Sequence, residues 1–435
     1  MLRDIDGIKM GPFGSALTLD SLSEAGYRVY GQENVMQKDF SCGQRFLSED
    51  RYAELFAYGV RPGDVLLTMM GSAGRCAVVP DGIEPGIMDS HLVRLRLDHA
   101  SFDSRFLARV IDDAPYVRAQ FDAMAKGSIM AGLNSSLVKN LLLCQPPVAE
   151  QKIIVELLDR ATEVIDALIV KKQQLIELLQ EKRTALISHA VTKGLDPHVR
   201  MRDSGIAILA TIPAAWRVLP LRRVLERVKQ GWSPECDERP AAEGAWGVLK
   251  TSCINGGAFD EMQNKSLPAD RPPQPDLEVK AGDLLMCRAS GSGDLVGVTV
   301  LVDACRPRLT FPDLMFRLVL DRHQAHPPYI SYVLNSLPLR AQIERELSGS
   351  VGLARKFRQS KVPSLVVPLP PLDEQVRIAD ATQRRAAEID GLIASVEAAV
   401  DQIREYRSAL ITAAVTGQID VRTYRRDPEE ALETS

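Results

Sequence analysis

Two short strings carry residue types that catalytic sites use. His326-Pro-Pro-Tyr329 has the form of the Asn/Asp-Pro-Pro-Tyr loop of amino-methyltransferases. In that loop the first side chain must accept a hydrogen bond from the target amine, and a glycine-rich cofactor loop accompanies it. A histidine suits the role poorly and no such loop is found, so the string reads as the start of a helix near Pro328. Pro275-Asp-Leu-Glu-Val-Lys280 has the letters of a metal-dependent nuclease, yet its two acids lie on one turn. That chemistry needs acids on separate strands converging on an ion. The six histidines show no ligand spacing, and His91 reads as a packed or surface residue. The seven cysteines include no Cys-x-x-Cys, and no Gly-x4-Gly-Lys-Ser/Thr loop occurs. Catalytic, zinc, nucleotide and disulfide chemistry are not expected, and a reducing cytoplasm fits the scattered cysteines.

What recurs is a set of basic and amide side chains on loops. Arg355-Lys356-Phe357-Arg358-Gln-Ser-Lys361 holds four cations and no acid, and Arg217, Arg222, Arg223, Arg227 and Lys229 approach Trp232. Cations contact phosphates, and Arg, Lys, Asn and Gln can read base edges. The DNA-contact candidates in the first part of the chain are Lys9, Ser15, Arg75, Lys126, Ser128, Asn134 and Lys139. In the second they are Lys229, Trp232, Lys250, Arg288, Arg355, Lys356, Arg358 and Lys361. A solvated loop is the competing reading of each patch taken alone.

The elements that must carry these loops are organised by a duplication. Pro146 to Asp196 recurs as Pro370 to Asp420 without a gap, and nineteen of fifty-one positions are identical. They include both prolines of each junction, Glu150/Glu374, Gln151/Gln375, Ile165/Ile389, Asp166/Asp390 and Arg183/Arg407. After the prolines, which cannot lie inside a helix, apolar residues follow alternating steps of four and three. The predicted helix-pairing residues are Ile154, Leu158, Ile165, Leu168, Leu175, Leu179 and Leu186 in one copy. In the other they are Ile378, Ile389, Leu392, Val396, Ile403 and Leu410. That is a heptad seam on two helices of about forty residues, roughly 60 Å long. Such a length suits a spacer better than a compact core.

Between the copies the chain repeats itself in outline. Arg61-Pro-Gly-Asp-Val-Leu-Leu-Thr-Met69 is echoed by Lys280-Ala-Gly-Asp-Leu-Leu-Met-Cys-Arg288, and Val93-Arg-Leu-Arg-Leu97 by Phe316-Arg-Leu-Val-Leu320. Turn signals feeding short apolar strands predict mixed α/β domains at 1–145 and 197–368, helical regions at 146–196 and 369–421, and a polar tail at 422–435. Phe102 to Met124 has helical spacing. The first domain has no counterpart of Ile206 to Trp216, so its front end is expected to be short or truncated. The fold class is α+β, with two mixed α/β domains alternating with two long helices that pair as an antiparallel coiled coil. Net charge is −4 over 435 residues, but Lys+Arg against Asp+Glu is 15 against 18 over 1–145 and 23 against 18 over 197–368. A DNA face and an acidic back fit this asymmetry. No run of eighteen apolar residues sends the chain to a membrane.

Gly11-Pro-Phe-Gly-Ser15, Pro-Gly-Asp-Val-Leu-Leu, Ile-Pro-Ala-Ala-Trp216, Pro-Pro-x-x-Glu-Gln at both junctions and the two Ala-Val-Thr endings together resemble the specificity (S) subunit of type I restriction-modification systems. The resemblance covers essentially the whole chain. It implies two target-recognition domains reading a bipartite target on double-stranded DNA. It also implies a non-catalytic subunit that directs two methyltransferase (M) subunits and the restriction (R) subunits. S-adenosylmethionine, ATP and Mg are then expected on those partners and no cofactor in this chain. A coiled-coil adaptor without DNA binding is the competing class, and a self-sufficient enzyme a third.

Overall fold

A computed structural model describes residues 7–13, 16–70, 74–125, 138–291, 293–347 and 355–421. The chain divides into two compact units, Met1–Gln173 with Glu397–Ser435, and Gln174–Val396.

The first unit holds strands β1 (Gly7–Met10), β2 (Tyr27–Tyr30), β3 (Phe46–Leu47), β4 (Val65–Thr68), β5 (Cys76–Val78), β6 (Gly86–Met88) and β7 (Leu92–Arg96). Short helices α1 (Gln32–Gln37) and α2 (Glu49–Glu54) punctuate them. The strands form two sheets, β1-β7-β4-β5 and β3-β2-β6. Strand alternation sorts the side chains. Val65, Leu67, Val93 and Leu95 face the helices, whereas Leu66, Ala77 and Leu92 join Tyr30 and Met88 of the second sheet. Covered on both faces, β4 is apolar from Val65 to Leu67. The Pro-Gly-Asp motif before it is a turn. Gly63 takes φ 82°, and the Asp64 carboxylate accepts from the Arg61 N–H at 2.9 Å. Gly282 (φ 86°) and Asp283, which accepts from the Lys280 N–H at 3.0 Å, repeat it in the second unit.

The helical spacing of Phe102–Met124 is realised as two helices, α3 (Ser104–Asp113) and α4 (Pro115–Ala125). Ala114 is extended (ψ 120°), because a residue before proline is driven out of the helical region. Long helix α5 (Val148–Lys193) follows and gives its first half to this unit.

The second unit opens with the hairpin β8 (Met201–Asp203) and β9 (Thr211–Pro213), then β10 (Arg217–Pro220). Strands β11 (Leu225–Gln230), β12 (Gly247–Leu249), β13 (Asn264–Ser266), β14 (Leu284–Cys287), β15 (Thr299–Leu301), β16 (Leu309–Thr310) and β17 (Met315–Leu320) make sheets β11-β17-β14-β15 and β13-β12-β16. They are the counterparts of the first unit's sheets, including the parallel pairs β2/β6 and β12/β16. Helices α6 (Pro327–Asn335) and α7 (Leu337–Leu347) lead to β18 (Val366–Leu369), which pairs with β10, and to long helix α8 (Leu372–Val415). In the first unit Leu142–Gln145, the counterpart of β18, forms no strand, and Leu142 is 57% exposed.

The long helices pair antiparallel within each unit. In the first, Ile154, Val155 and Leu158 of α5 share a core with Ile411, Ala414 and Val415 of α8. In the second, Ala190 and Val191 of α5 share one with Ile378 and Ala379. Asp166–Arg407 (2.9 Å) and Arg183–Asp390 (2.7 Å) are the same ion pair made once per unit. The predicted seam needs one correction. Leu168, Leu175 and Leu392 are exposed (43%, 43% and 55%), and the covered positions are Thr162, Ile169 and Ile176, with Ala386, Ile393 and Val400 in the second copy. Adjacent apolar residues at 168/169 and 392/393 fit either phase of the alternation. A second four-residue step, from Leu158 to Thr162, sets the phase, as an insertion of four does in a heptad pattern. Ile154, Leu158, Ile165, Ile378 and Ile389 are buried, and Leu179, Leu186, Val396, Ile403 and Leu410 half-buried.

Candidate nucleic-acid interface

In each unit one strand runs between two ends with different tasks. β7 begins at the Asp89–His91 loop, and the chain leaves its far end for Asp103. β17 begins at Pro312–Leu314 and leads to His326. Six residues of strand span about 20 Å.

The far end is an anchor for the long helix. Buried Gln151 accepts from the Asp103 N–H (2.8 Å) and donates to the carbonyls of Ser101 (3.0 Å) and Pro146 (2.8 Å). Gln375 repeats this with the His326 N–H (2.8 Å) and the carbonyls of Gln324 and Pro370 (both 2.9 Å). Asp103 and His326 each cap the helix after the strand. A second glutamine holds the segment before the junction. Gln120 pairs with the Leu142 N–H and C=O (2.9 and 3.0 Å), and Gln342 with those of Val366 (both 2.9 Å). Glu374 adds a bond from the Trp216 indole N–H at 3.1 Å.

The strings that resemble catalytic sites are engaged here and nearby. Tyr329 is buried and donates to the Pro368 carbonyl at 3.0 Å. Asp276 takes Lys229, and Glu278 accepts from the Arg308 N–H at 2.7 Å. Burial pushes the thiols of Cys253 up to about 12 and of Cys287 to about 11, which disfavours thiolate chemistry. Among the described residues no group of three His, Cys, Asp or Glu could hold a metal ion.

At the near end, loops after β1, β2 and β4 meet the β6–β7 loop, and their counterparts meet in the second unit. Gly11 N–H bonds Leu92 C=O (2.9 Å) and Gly231 N–H bonds Met315 C=O (3.2 Å). A Cβ on Gly11 would lie 1.7 Å from the Asp89 carbonyl oxygen, and one on Gly231 2.2 Å from that of Phe311. Only glycine admits that approach. In the first unit Arg45 bridges Glu33 (2.6 Å) and Asp89 (3.0 Å) over this end. In the second, a cleft of about 410 Å³ opens there, lined by Ser233, Lys250, Ser252, Lys265 and Leu314 among others.

The structure gathers five of the sequence candidates at the near end of the second unit. Lys250 lines the cleft and half-buried Trp232 packs beside it. Arg288 donates to the Asp313 carbonyl at 3.2 Å, Lys356 bridges Ala289, and Arg355 lies over Gly293. Other candidates are committed elsewhere. Lys229 bonds Asp276 (3.4 Å), its counterpart Lys9 lies 4.7 Å from the Tyr58 ring centre, Arg75 pairs with Asp112 (3.0 Å), and Lys361 with Glu346 (2.9 Å). Lys139 and Arg358 are exposed, while Phe357 between the cations is buried core. Arg222, Arg223 and Arg227 sit at the start of β11 or before it, a strand's length from Trp232. Ser15, Lys126, Ser128 and Asn134 lie outside the described residues. Sequence reasoning missed Arg45, Asp89, Ser233, Lys265 and Leu314, and set His91 aside. The repeat of Val93–Leu97 in Phe316–Leu320 held the signal, since the loop residue two places before each repeat is His91 or Leu314.

Two domains of one fold, each anchored by a glutamine to one half of an antiparallel helix pair and each carrying a loop end away from that anchor, define a duplicated scaffold. No family model matches the sequence. The chain is 27% identical to the type I restriction enzyme EcoEI specificity subunit of Escherichia coli, over 56% of this chain and 40% of that protein. It is 24% identical to the EcoKI specificity subunit of E. coli strain K12, over 75% and 68%, and 24% identical to the MjaVIII specificity subunit of Methanocaldococcus jannaschii, over 83% and 80%. A chain from a solved structure of the type I R-M system's complex assembly and conformational transition superposes with a TM-score of 0.64 over 83% of both chains, at 17% identity. The chain is similar to type I restriction enzyme specificity subunits, and its match spans less than half the length of the EcoEI subunit.

Proposed function

We propose that this chain is the DNA sequence-recognition subunit of a type I restriction-modification complex, each near end reading one half of a bipartite target. The observation that carries this is the repeated polarity of the units. A glutamine anchors one end of each domain to the helix pair, and the other end is free to present its loops, with Lys250, Arg288, Arg355 and Lys356 gathered there in the second. Cations hold phosphates in register and neighbouring side chains read the grooves. The chain works without chemistry of its own, in the cytoplasm, with two methyltransferase subunits and the restriction subunits. S-adenosylmethionine, ATP and Mg belong to those partners.

The test reconstitutes the purified chain with its methyltransferase partner on a random duplex library. The chain alone transfers no methyl group, and the complex selects two short motifs separated by an unread spacer. Alanine at Arg355 and Lys356 weakens binding across sequences and lowers the salt slope by about 1 per lost phosphate contact. Methylation by the lone chain contradicts the proposal. A complex that binds duplexes without sequence preference favours the coiled-coil adaptor instead.

A further inference from the structure

His91 and Leu314 occupy one position in two copies of the same loop. Each precedes the strand that starts at Leu92 or Met315, and its carbonyl is held by the strand beside it. The Met69 N–H bonds His91 C=O at 2.9 Å, and the Arg288 N–H bonds Leu314 C=O at 2.8 Å. The close approach of Gly11 or Gly231 fixes the loop from the other side. The backbone is thus constrained alike in both domains and the side chain is what differs. Both side chains are exposed although their neighbours Leu92 and Met315 are buried, the imidazole by 49% and Leu314 by 36%. An exposed leucine on the rim of a cleft with Lys250, Lys265 and Ser233 is not there to fill a core.

Resting on the reading above, we propose that this position is a base-reading seat, filled in the second domain for a thymine and in the first for a purine. Leu314 packs against the thymine 5-methyl group, the apolar mark of the major groove, and His91 hydrogen-bonds the N7 edge of a purine. The cations around Leu314 hold the adjoining phosphates, and the leucine discriminates.

The experiment measures binding by the methyltransferase–specificity complex to its selected duplex, with each thymine of the second half-site replaced in turn by deoxyuridine. At one position the wild type loses about fourfold in affinity, the worth of one buried methyl group, and Leu314→Ser shows no difference between the two bases. The library motif of His91→Leu loses its purine preference at one position of the first half-site and keeps the second half-site intact, which also controls for folding. Equal binding of thymine and deoxyuridine at every position, or motifs unchanged in both variants, overturns the seat while leaving sequence recognition standing. A wild-type complex without any motif overturns the functional reading, and the seat with it.

Discussion

Gln151 and Gln375 make the same three hydrogen bonds with partners some fifty residues away and five residues away. A buried amide so placed has no water to fall back on. Gln375→Ala strands the His326 N–H and two carbonyls, and at roughly 1–3 kcal/mol for an unmet buried group the variant is expected to lose about 2–3 kcal/mol. Gln151→Ala behaves alike. Urea unfolding checks this, and a loss below about 0.5 kcal/mol in both would show that the glutamines do not hold the junction. Glu150 and Glu374 are also identical, yet Trp216 gives only Glu374 an indole partner.

At the scale of elements, the helix pair is specified by burial near the junctions and by ion pairs toward the middle. Asp166–Arg407 and Arg183–Asp390 are half-exposed, so each is worth little, about 0.2–1 kcal/mol. Their service is register, since each aspartate meets the arginine of the other helix. Reversing Arg183 to Asp should destabilise slightly, and adding Asp390→Arg should restore the loss. A double-mutant cycle by thermal unfolding that gives no coupling would assign register to the apolar seam alone. Exposed Leu168, Leu175 and Leu392 lie outside that seam, and their change to glutamine should leave stability within about 0.5 kcal/mol.

At the scale of the molecule, α5 runs 46 residues and α8 runs 44, and each contributes to both units. The helices are proposed to set the spacer between half-sites. Four residues inserted near Gln173 add about 6 Å of helix and should lengthen the unread spacer by one or two base pairs, with both half-site motifs kept. Methylation mapping before and after insertion reads the outcome, and an unchanged spacer in an active complex would remove the helices from that role.

The duplication was legible from the chain alone because identical residues recur at one offset. The alternation of mixed α/β domains and long helices followed, since prolines cannot lie inside a helix and short apolar strands follow Pro-Gly-Asp turns. Three things waited for the tertiary structure. The phase of the helix seam did, because Leu168 and Ile169 are equally apolar and only packing around Thr162 chooses between them. The sorting of cations did too, because Lys9, Lys229 and Arg75 resemble Lys250 and Lys356 in a sequence. Only the fold shows that the first three already have partners within their domain. The loop position shared by His91 and Leu314 is the third. A side chain on a loop has no periodicity to give it away, and its role depends on which strands, distant in sequence, end beside it.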